Sequence, residues 1–247
     1  MAHVHFFLNP KGGTGKSLIS YIVAQYLISK GVKTTCIDCD PVTPTLMAYK
    51  ALNAVRVNVM EDNNIDKTKF DLLAELIIRG EENEHFVIDN GTSSFLALLD
   101  YMVTHTITEI LISMEHTVTF HVIVVGGDNL LGTVDGFKEI VTRFSPHARI
   151  IVWLNPFFGA IERDGKSFEN FGIYQKNREH VNAVLYYPDF PKDTFGKSFA
   201  LLQKDRLTFA EVCDAEKSPQ GYDFMTRHRI GMIRQRVFTM LDAAKVL

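Results

Sequence analysis

One stretch of the sequence decides the fold: Asn9-Pro10-Lys11-Gly12-Gly13-Thr14-Gly15-Lys16-Ser17. It follows an apolar run at residues 4–8 and precedes residues 17–30, whose apolar positions recur at helical spacing. A strand, a glycine-rich turn and a helix in this order form a phosphate-binding loop. Glycines allow positive φ, so that successive backbone N–H groups point at phosphate oxygens, and the helix adds its positive N-terminal end. The stretch therefore predicts a site for a nucleotide phosphate.

Each residue type in this loop suits one part of a complex between a nucleotide and magnesium. Lys16 supplies a point charge for the phosphates, and the Ser17 hydroxyl is the predicted Mg²⁺ ligand. The remaining positions supply backbone that cradles the phosphates: Gly12, Gly13, Thr14 and Gly15. The alternative, an ordinary glycine turn with accidental lysines, does not account for the flanking strand and helix.

Carboxylates follow two further predicted strands. Residues 32–38 end in Asp38 and lead to Asp40, and residues 85–89 end in Asp89. Because the carboxyl ends of parallel strands meet at one edge of a sheet, we expect these aspartates beside the phosphate loop. Asp38 and Asp89 are candidate magnesium ligands with Ser17, and Asp38 and Asp40 are candidate catalytic groups that position the attacking water. For Asp40 the alternative is a turn residue ahead of proline.

The rest of the chain alternates between strand-like and helix-like segments. This alternation predicts an α/β fold, a mostly parallel, doubly wound sheet flanked by helices, in a single domain over residues 1–247. Residues 117–127 fit either a buried strand or the start of a helix. We predict strands at 107–113, 149–154 and 181–187, and helices at 66–80, 94–102 and 129–143.

Composition narrows the class of protein further. The chain has 247 residues, of which 46% are hydrophobic and 22% charged, which suits one globular domain with a large core. The net charge of −3 gives no general reason to expect nucleic acid. Neither a signal peptide nor an integral membrane segment is indicated, and three cysteines fit a reducing compartment, so we expect a cytoplasmic protein.

Three smaller features each have two interpretations. Cys36 and Cys39 form a C-x-x-C, but without a second pair buried packing is favoured over redox or metal chemistry. His3 and His5 alternate on one face of the first strand, as a metal pair or, more commonly, as packing residues. Asn155 both donates and accepts and so matches one edge of adenine, although Asn-Pro is also a frequent turn initiator.

A C-terminal helix is predicted over about residues 222–246. It can lie on an anionic membrane or touch DNA phosphates. It can also dock on the sheet with arginines at the rim, which is the more common arrangement. The apolar face of this helix holds Ile230, Ile233, Val237, Leu241 and Ala244, and its flanks hold Arg227, Arg234, Arg229 and Arg236.

The phosphate loop departs from the usual pattern, because Pro10 replaces the first glycine and Lys11 follows it. This form resembles the deviant Walker A motif of the MinD/ParA/nitrogenase-iron-protein ATPases. Residues 36–42, 87–95, 152–156 and 206–209 further resemble the TraL-type ATPases of conjugative plasmids. Together these stretches span almost the whole chain.

The resemblance implies an ATPase that binds ATP with Mg²⁺ and hydrolyses it slowly as a homodimer. Lys11 would be the signature lysine that reaches the partner's nucleotide, and Lys16 and Ser17 would bind phosphate and magnesium. Asp40 would belong to switch I and Asp89 to switch II, although switch II here reads Asp-Asn-Gly rather than Asp-x-Pro.

The resemblance also extends to the base and to the partners. The loop 188–198, which starts at Pro188, resembles the ParA segment that packs against adenine. Conjugation or plasmid-stability proteins are the implied partners. Two other classes stay open: a dethiobiotin-synthase-like ligase, and an adaptor that binds nucleotide or DNA without hydrolysis.

Overall fold

A parallel β-sheet forms the centre of the protein, in a computed structural model that describes residues 1–145, 147–214, 216 and 218–247. The strands in these residues are β1 (His3–Leu8), β2 (Thr34–Cys39), β3 (Val55–Arg56), β4 (Met60–Glu61), β5 (Asn64–Ile65), β6 (His85–Asn90), β7 (Thr117–Val125), β8 (Arg149–Asn155), β9 (Glu162–Arg163), β10 (Lys166–Ser167) and β11 (Ala183–Tyr186). Seven of them form one sheet in the order β11-β8-β7-β1-β6-β2-β3, with every neighbouring pair parallel. The predicted doubly wound α/β sheet is confirmed.

Helices cover both faces of this sheet. They are α1 (Lys16–Ser29), α2 (Phe70–Ile78), α3 (Phe95–Thr104), α4 (Ile107–Ser113), α5 (Leu130–Phe144), α6 (Gly172–Asn177), α7 (Lys197–Lys204), α8 (Phe209–Cys213) and α9 (Phe224–Ala244). Buried residues of α2 to α5 share one core cluster with the sheet, and those of α1, α7, α8 and α9 share the other. Each face of the sheet therefore has its own hydrophobic core.

The central strand β1 explains where the site lies. Phe6 belongs to one core cluster and Phe7 to the other, so the strand is apolar on both faces, as expected for a covered parallel sheet. From β1 the chain moves to β2 and β3 on one side, and later crosses to β7, β8 and β11 on the other. The loop after β1 thus lies at the switch point of the sheet, where α/β folds bind ligands.

Two predicted segments differ in the structure. Residues 107–113 form helix α4, so the strand predicted there is wrong. The place beside β1 is filled by β7, and only Thr108 and Leu111, three residues apart on one helical face, are buried in α4. The ambiguous segment 117–127 is a strand up to Val125, and the last predicted strand, β11, lies at the sheet edge.

Hydrogen-bonded rings cross the middle of the sheet. Trp153 Nε1 donates to His121 Nδ1 at 3.0 Å, His121 Nε2 lies 3.1 Å from His5 Nδ1, and His5 Nε2 lies 3.0 Å from His85 Nδ1. Because tryptophan can only donate, each histidine must be neutral, accept at Nδ1 and donate from Nε2. Burial lowers the pKa of His121 to about 3 and that of His85 to about 4. The rings therefore satisfy one another, which supports the packing interpretation of His5.

The structure also bears on the cysteine pair, on metal sites and on membrane-spanning helices. Cys36 and Cys39 are buried in different core clusters, on opposite faces of β2. Among the residues described, no group of three or more His, Cys, Asp or Glu is arranged to hold a metal ion. Within the same residues no single helix is long and apolar enough to cross a membrane, and α3 with α4 passes that test only as a pair bent by 58°.

Candidate nucleotide-binding site

The glycine-rich loop has the backbone that phosphate binding requires. Gly13 and Gly15 take φ values of 72° and 95°, which favour glycine. A Cβ on Gly15 would also lie 2.9 Å from Asn155 Nδ2. Helix α1 begins at Lys16, directly after the loop. The N–H groups at the start of α1 therefore face the same space as the loop backbone.

Lys16 is held in a buried ion pair. Its Nζ lies 2.8 Å from Asp89 Oδ1, with the two side chains 8% and 0% exposed. It also lies 3.5 Å from the Ser17 hydroxyl oxygen. Within the described part of the chain, Asp89 Oδ2 is buried without a hydrogen-bond partner. A carboxylate oxygen with unused acceptor capacity near a serine hydroxyl is a donor set that fits Mg²⁺.

Lys11 has the opposite surroundings. Its side chain is exposed, and among the described residues no acceptor or carboxylate is paired with its ammonium group. Its backbone is fixed, because Lys11 N donates to Asn9 Oδ1 at 2.8 Å and Asn9 Nδ2 donates to Ile123 O at 2.6 Å. The loop thus presents one buried, paired lysine and one exposed lysine whose ammonium group has no partner in the described part of the chain.

The two aspartates after β2 have different contacts. Asp38 is fully buried, and its carboxylate accepts from the backbone N–H groups of Asp40 at 3.0 Å and Met47 at 3.1 Å. Burial raises the pKa of Asp38 to about 6. Asp40 lines the cavity at the phosphate loop, and its Oδ1 accepts from Val42 N and Thr43 N, as in the turn interpretation. Asp38 therefore anchors the loop that carries Asp40 and does not line the cavity itself.

Two adjoining cavities meet at the phosphate loop. The first, of about 720 Å³, is lined by residues 11–18 and by Asp40, Thr92 and Ser93 among others. The second, of about 300 Å³, is mainly apolar and includes Asn155 and Pro188 in its wall. The two share Gly13, Gly15 and Leu18. A polar cavity for phosphates beside an apolar cavity for a base is the arrangement that a nucleotide requires.

Asn155 contacts the loop directly. Its Nδ2 donates to Thr14 O at 3.0 Å, and its Oδ1 accepts from Phe157 N at 3.2 Å, which starts a short 3₁₀ turn. Asn155 thus supports the phosphate loop and also starts a turn, as the turn interpretation predicts. A side-chain amide has a second N–H and a second lone pair, so Asn155 keeps one donor and one acceptor for a base edge.

Gly91 is a site residue whose role the sequence analysis missed. A Cβ there would lie 2.7 Å from Pro41 Cδ and 2.9 Å from Asp40 Oδ1. The absence of a side chain lets the loops after β2 and β6 touch. The only signal in the sequence was the Asp-Asn-Gly triplet, which we noted as a departure from the family pattern.

The C-terminal helix α9 is docked on the fold. Four residues of its predicted apolar face are buried and Ala244 is half-buried. Arg229 Nη1 donates to Ser198 Oγ at 3.5 Å, and the Arg236 guanidinium lies 5.5 Å from the centre of the Phe190 ring. The docked arrangement with arginines at the rim is therefore the one observed.

Comparisons with known proteins support a nucleotide-binding domain. Residues 5–192 match the model of the CobQ/CobB/MinD/ParA nucleotide binding domain. Two Escherichia coli relatives, each called Protein TraL, are 41% and 39% identical over 247 residues and are matched over the full length of both chains. The Aquifex aeolicus MinC:MinD cell division complex has a similar chain, with a TM-score of 0.56, 13% identity and coverage of 97% of this chain and 96% of that one. The A. aeolicus MinD protein gives a TM-score of 0.51 at 14% identity, with coverage of 97% and 98%. These solved structures support the fold alone.

Proposed function

The chain belongs to the CobQ/CobB/MinD/ParA nucleotide-binding family and to its TraL-type branch, and from that premise we propose that it is a slow ATPase that dimerises around ATP. The nucleotide would act as a switch, since a ligand that binds the dimer better than the monomer shifts the population toward the dimer. A partner that binds one of the two states would then sense ATP.

The contrast between the two loop lysines carries this proposal. Lys16 is already paired with Asp89, which suits a group that exchanges one anion for another within its own subunit. Lys11 is exposed at the mouth of the phosphate cavity, so its charge is available to a second subunit.

The surrounding groups support hydrolysis. Ser17 and Asp89 would hold Mg²⁺, which neutralises charge on the phosphates. Phosphate oxygens would replace Asp89 as the counter-charge of Lys16. Asp40 would orient the attacking water, and Asp38 would keep the Asp40 loop in place through its two backbone hydrogen bonds.

The proposed cellular role is based on the relatives. Full-length similarity to two TraL proteins supports a role in conjugative plasmid transfer or plasmid stability, with a protein of that system as partner. Contact with DNA or an anionic membrane would use the arginines at the rim of α9. Turnover of ATP measured with and without DNA, anionic vesicles and candidate partners tests these contacts.

Substitution of Lys11 tests the switch. Lys11→Ala should abolish the ATP-dependent dimer measured by light scattering, while circular dichroism shows an unchanged fold. Lys138→Ala removes an exposed lysine from α5 and serves as the charge-matched control. An unchanged dimer fraction in Lys11→Ala would refute the proposed role of this residue.

A further inference from the structure

Two glycines of α5 lie against the start of the phosphate loop. A Cβ on Gly132 would be 2.1 Å from Lys11 Cε and 3.0 Å from Lys11 Cγ, and a Cβ on Gly136 would be 2.4 Å from Pro10 Cδ. The two glycines are four residues apart and so lie on the same face of the helix. The Pro10 ring and the Lys11 stem therefore rest directly on the backbone of α5.

Backbone conformation does not explain these glycines. Gly132 lies in the first turn of α5 and Gly136 in its interior, and neither has a positive φ. Glycine in a helix interior destabilises the helix relative to alanine. What the two positions require is space, because any side chain would enter the volume of Pro10 or Lys11.

Contacts with β7 and α5 together hold the first three residues of the phosphate loop, Asn9 to Lys11, in place. Asn9 is tied to β7 through Ile123 O, Pro10 lies on Gly136, and the Lys11 stem lies on Gly132. Only the end of the Lys11 side chain extends beyond these contacts. Helix α5 thus limits the direction that the Lys11 side chain can take.

We infer that Gly132 is a positioning residue for Lys11, because it lets the lysine stem lie along α5 and so aims the ammonium group at the nucleotide of a second subunit. Gly136 holds the loop itself through Pro10. This inference rests on the proposed function, since it takes Lys11 to act across the dimer. Neither glycine lines the two cavities at the phosphate loop, so both act through the residues that lie on them.

The two contacts predict different losses. The atom that an added methyl group at Gly132 meets first is near the end of a flexible side chain, so Gly132→Ala should redirect Lys11 and leave the fold and the loop intact. At Gly136 the methyl group meets a rigid proline ring, so Gly136→Ala should shift the loop backbone. Gly172, at the start of α6, has nothing within 4 Å of an added Cβ, so Gly172→Ala is the matched control.

The variants are compared in melting temperature, Mg-ADP affinity by calorimetry and ATP-dependent dimerisation by light scattering. Gly132→Ala should melt no lower than the unsubstituted protein, bind ADP within twofold and dimerise at least tenfold more weakly. Gly136→Ala should lose both ADP affinity and dimerisation, and Gly172→Ala neither.

A second experiment monitors the surroundings of the Lys11 side chain by NMR in the absence of nucleotide. Reductive ¹³C-methylation gives each lysine an NMR signal, and the Lys11 signal, identified by its loss in Lys11→Ala, should shift in Gly132→Ala and stay in place in Gly172→Ala. An unshifted signal would overturn the inference whatever the dimer does. A shifted signal with normal ATP-dependent dimerisation would also overturn it, whereas failure of the unsubstituted protein to dimerise with ATP counts against the proposed function.

Discussion

Removing the charge of Lys16 should destabilise the protein even when no nucleotide is present. The Nζ of Lys16 and Oδ1 of Asp89 are 2.8 Å apart and buried, and the second oxygen of Asp89 has no partner among the described residues. Lys16→Met keeps the apolar stem but leaves a buried carboxylate without its counter-charge. Breaking a buried pair in this way costs about 3–5 kcal/mol.

Urea unfolding without nucleotide, followed by circular dichroism, measures the free energies, and equal slopes against urea concentration make them comparable. The double variant Lys16→Met/Asp89→Leu replaces the pair by apolar groups and should recover most of the loss. A single variant within about 0.5 kcal/mol of the unsubstituted protein, or a double variant no better than the single one, would refute the reasoning. Neither the single nor the double variant should bind nucleotide.

Two further predictions concern pH and the loops at the phosphate cavity. The pKa of His121 is lowered to about 3 in the folded protein, against about 6.5 unfolded, so the unfolded chain binds more protons between these values and stability should fall as the pH drops below about 6.5. The loss should approach about 1.4 kcal/mol per pH unit for each such histidine, partly opposed between about pH 4 and 6 by Asp38, whose raised pKa has the opposite sign. Thermal melts should show a flatter slope for His121→Asn, and an equal slope would contradict this assignment. For Gly91→Ala, the added Cβ would press on the loop after β2, so ATP turnover should drop at least tenfold while Mg-ADP affinity by calorimetry stays within threefold. Equal losses of ATP turnover and of Mg-ADP affinity would contradict this prediction, because they would show that the whole site had moved.

Local patterns predicted the parts of the fold that depend on neighbouring residues. The apolar run of β1, the glycine turn and the start of α1 lie within about 30 residues, and each is determined by its own sequence. Residues 107–113 could not be predicted in this way, because their apolar, β-branched composition fits a strand and only the pairing of β7 with β1 excludes it.

The sequence predicted which residues belong to the site better than it predicted which of their side chains contact one another. Asp89 was expected beside Ser17 as a metal ligand, whereas its ion pair with Lys16 depends on side-chain directions that spacing does not give. The packing of Gly132 on Lys11 joins positions far apart in the chain. Contacts of this kind become visible only when two elements are brought together.

The row of rings across the sheet has a consequence for assembly. Each ring is committed to one tautomer by the indole at one end, so β8, β7, β1 and β6 satisfy their buried nitrogens in a single alignment. A strand that slipped by one residue would turn its ring to the opposite face and leave a neighbouring nitrogen unpaired in the core. The row therefore favours the aligned sheet over sheets in which one of these four strands has slipped, and the alignment of β1 in turn fixes where the phosphate loop begins.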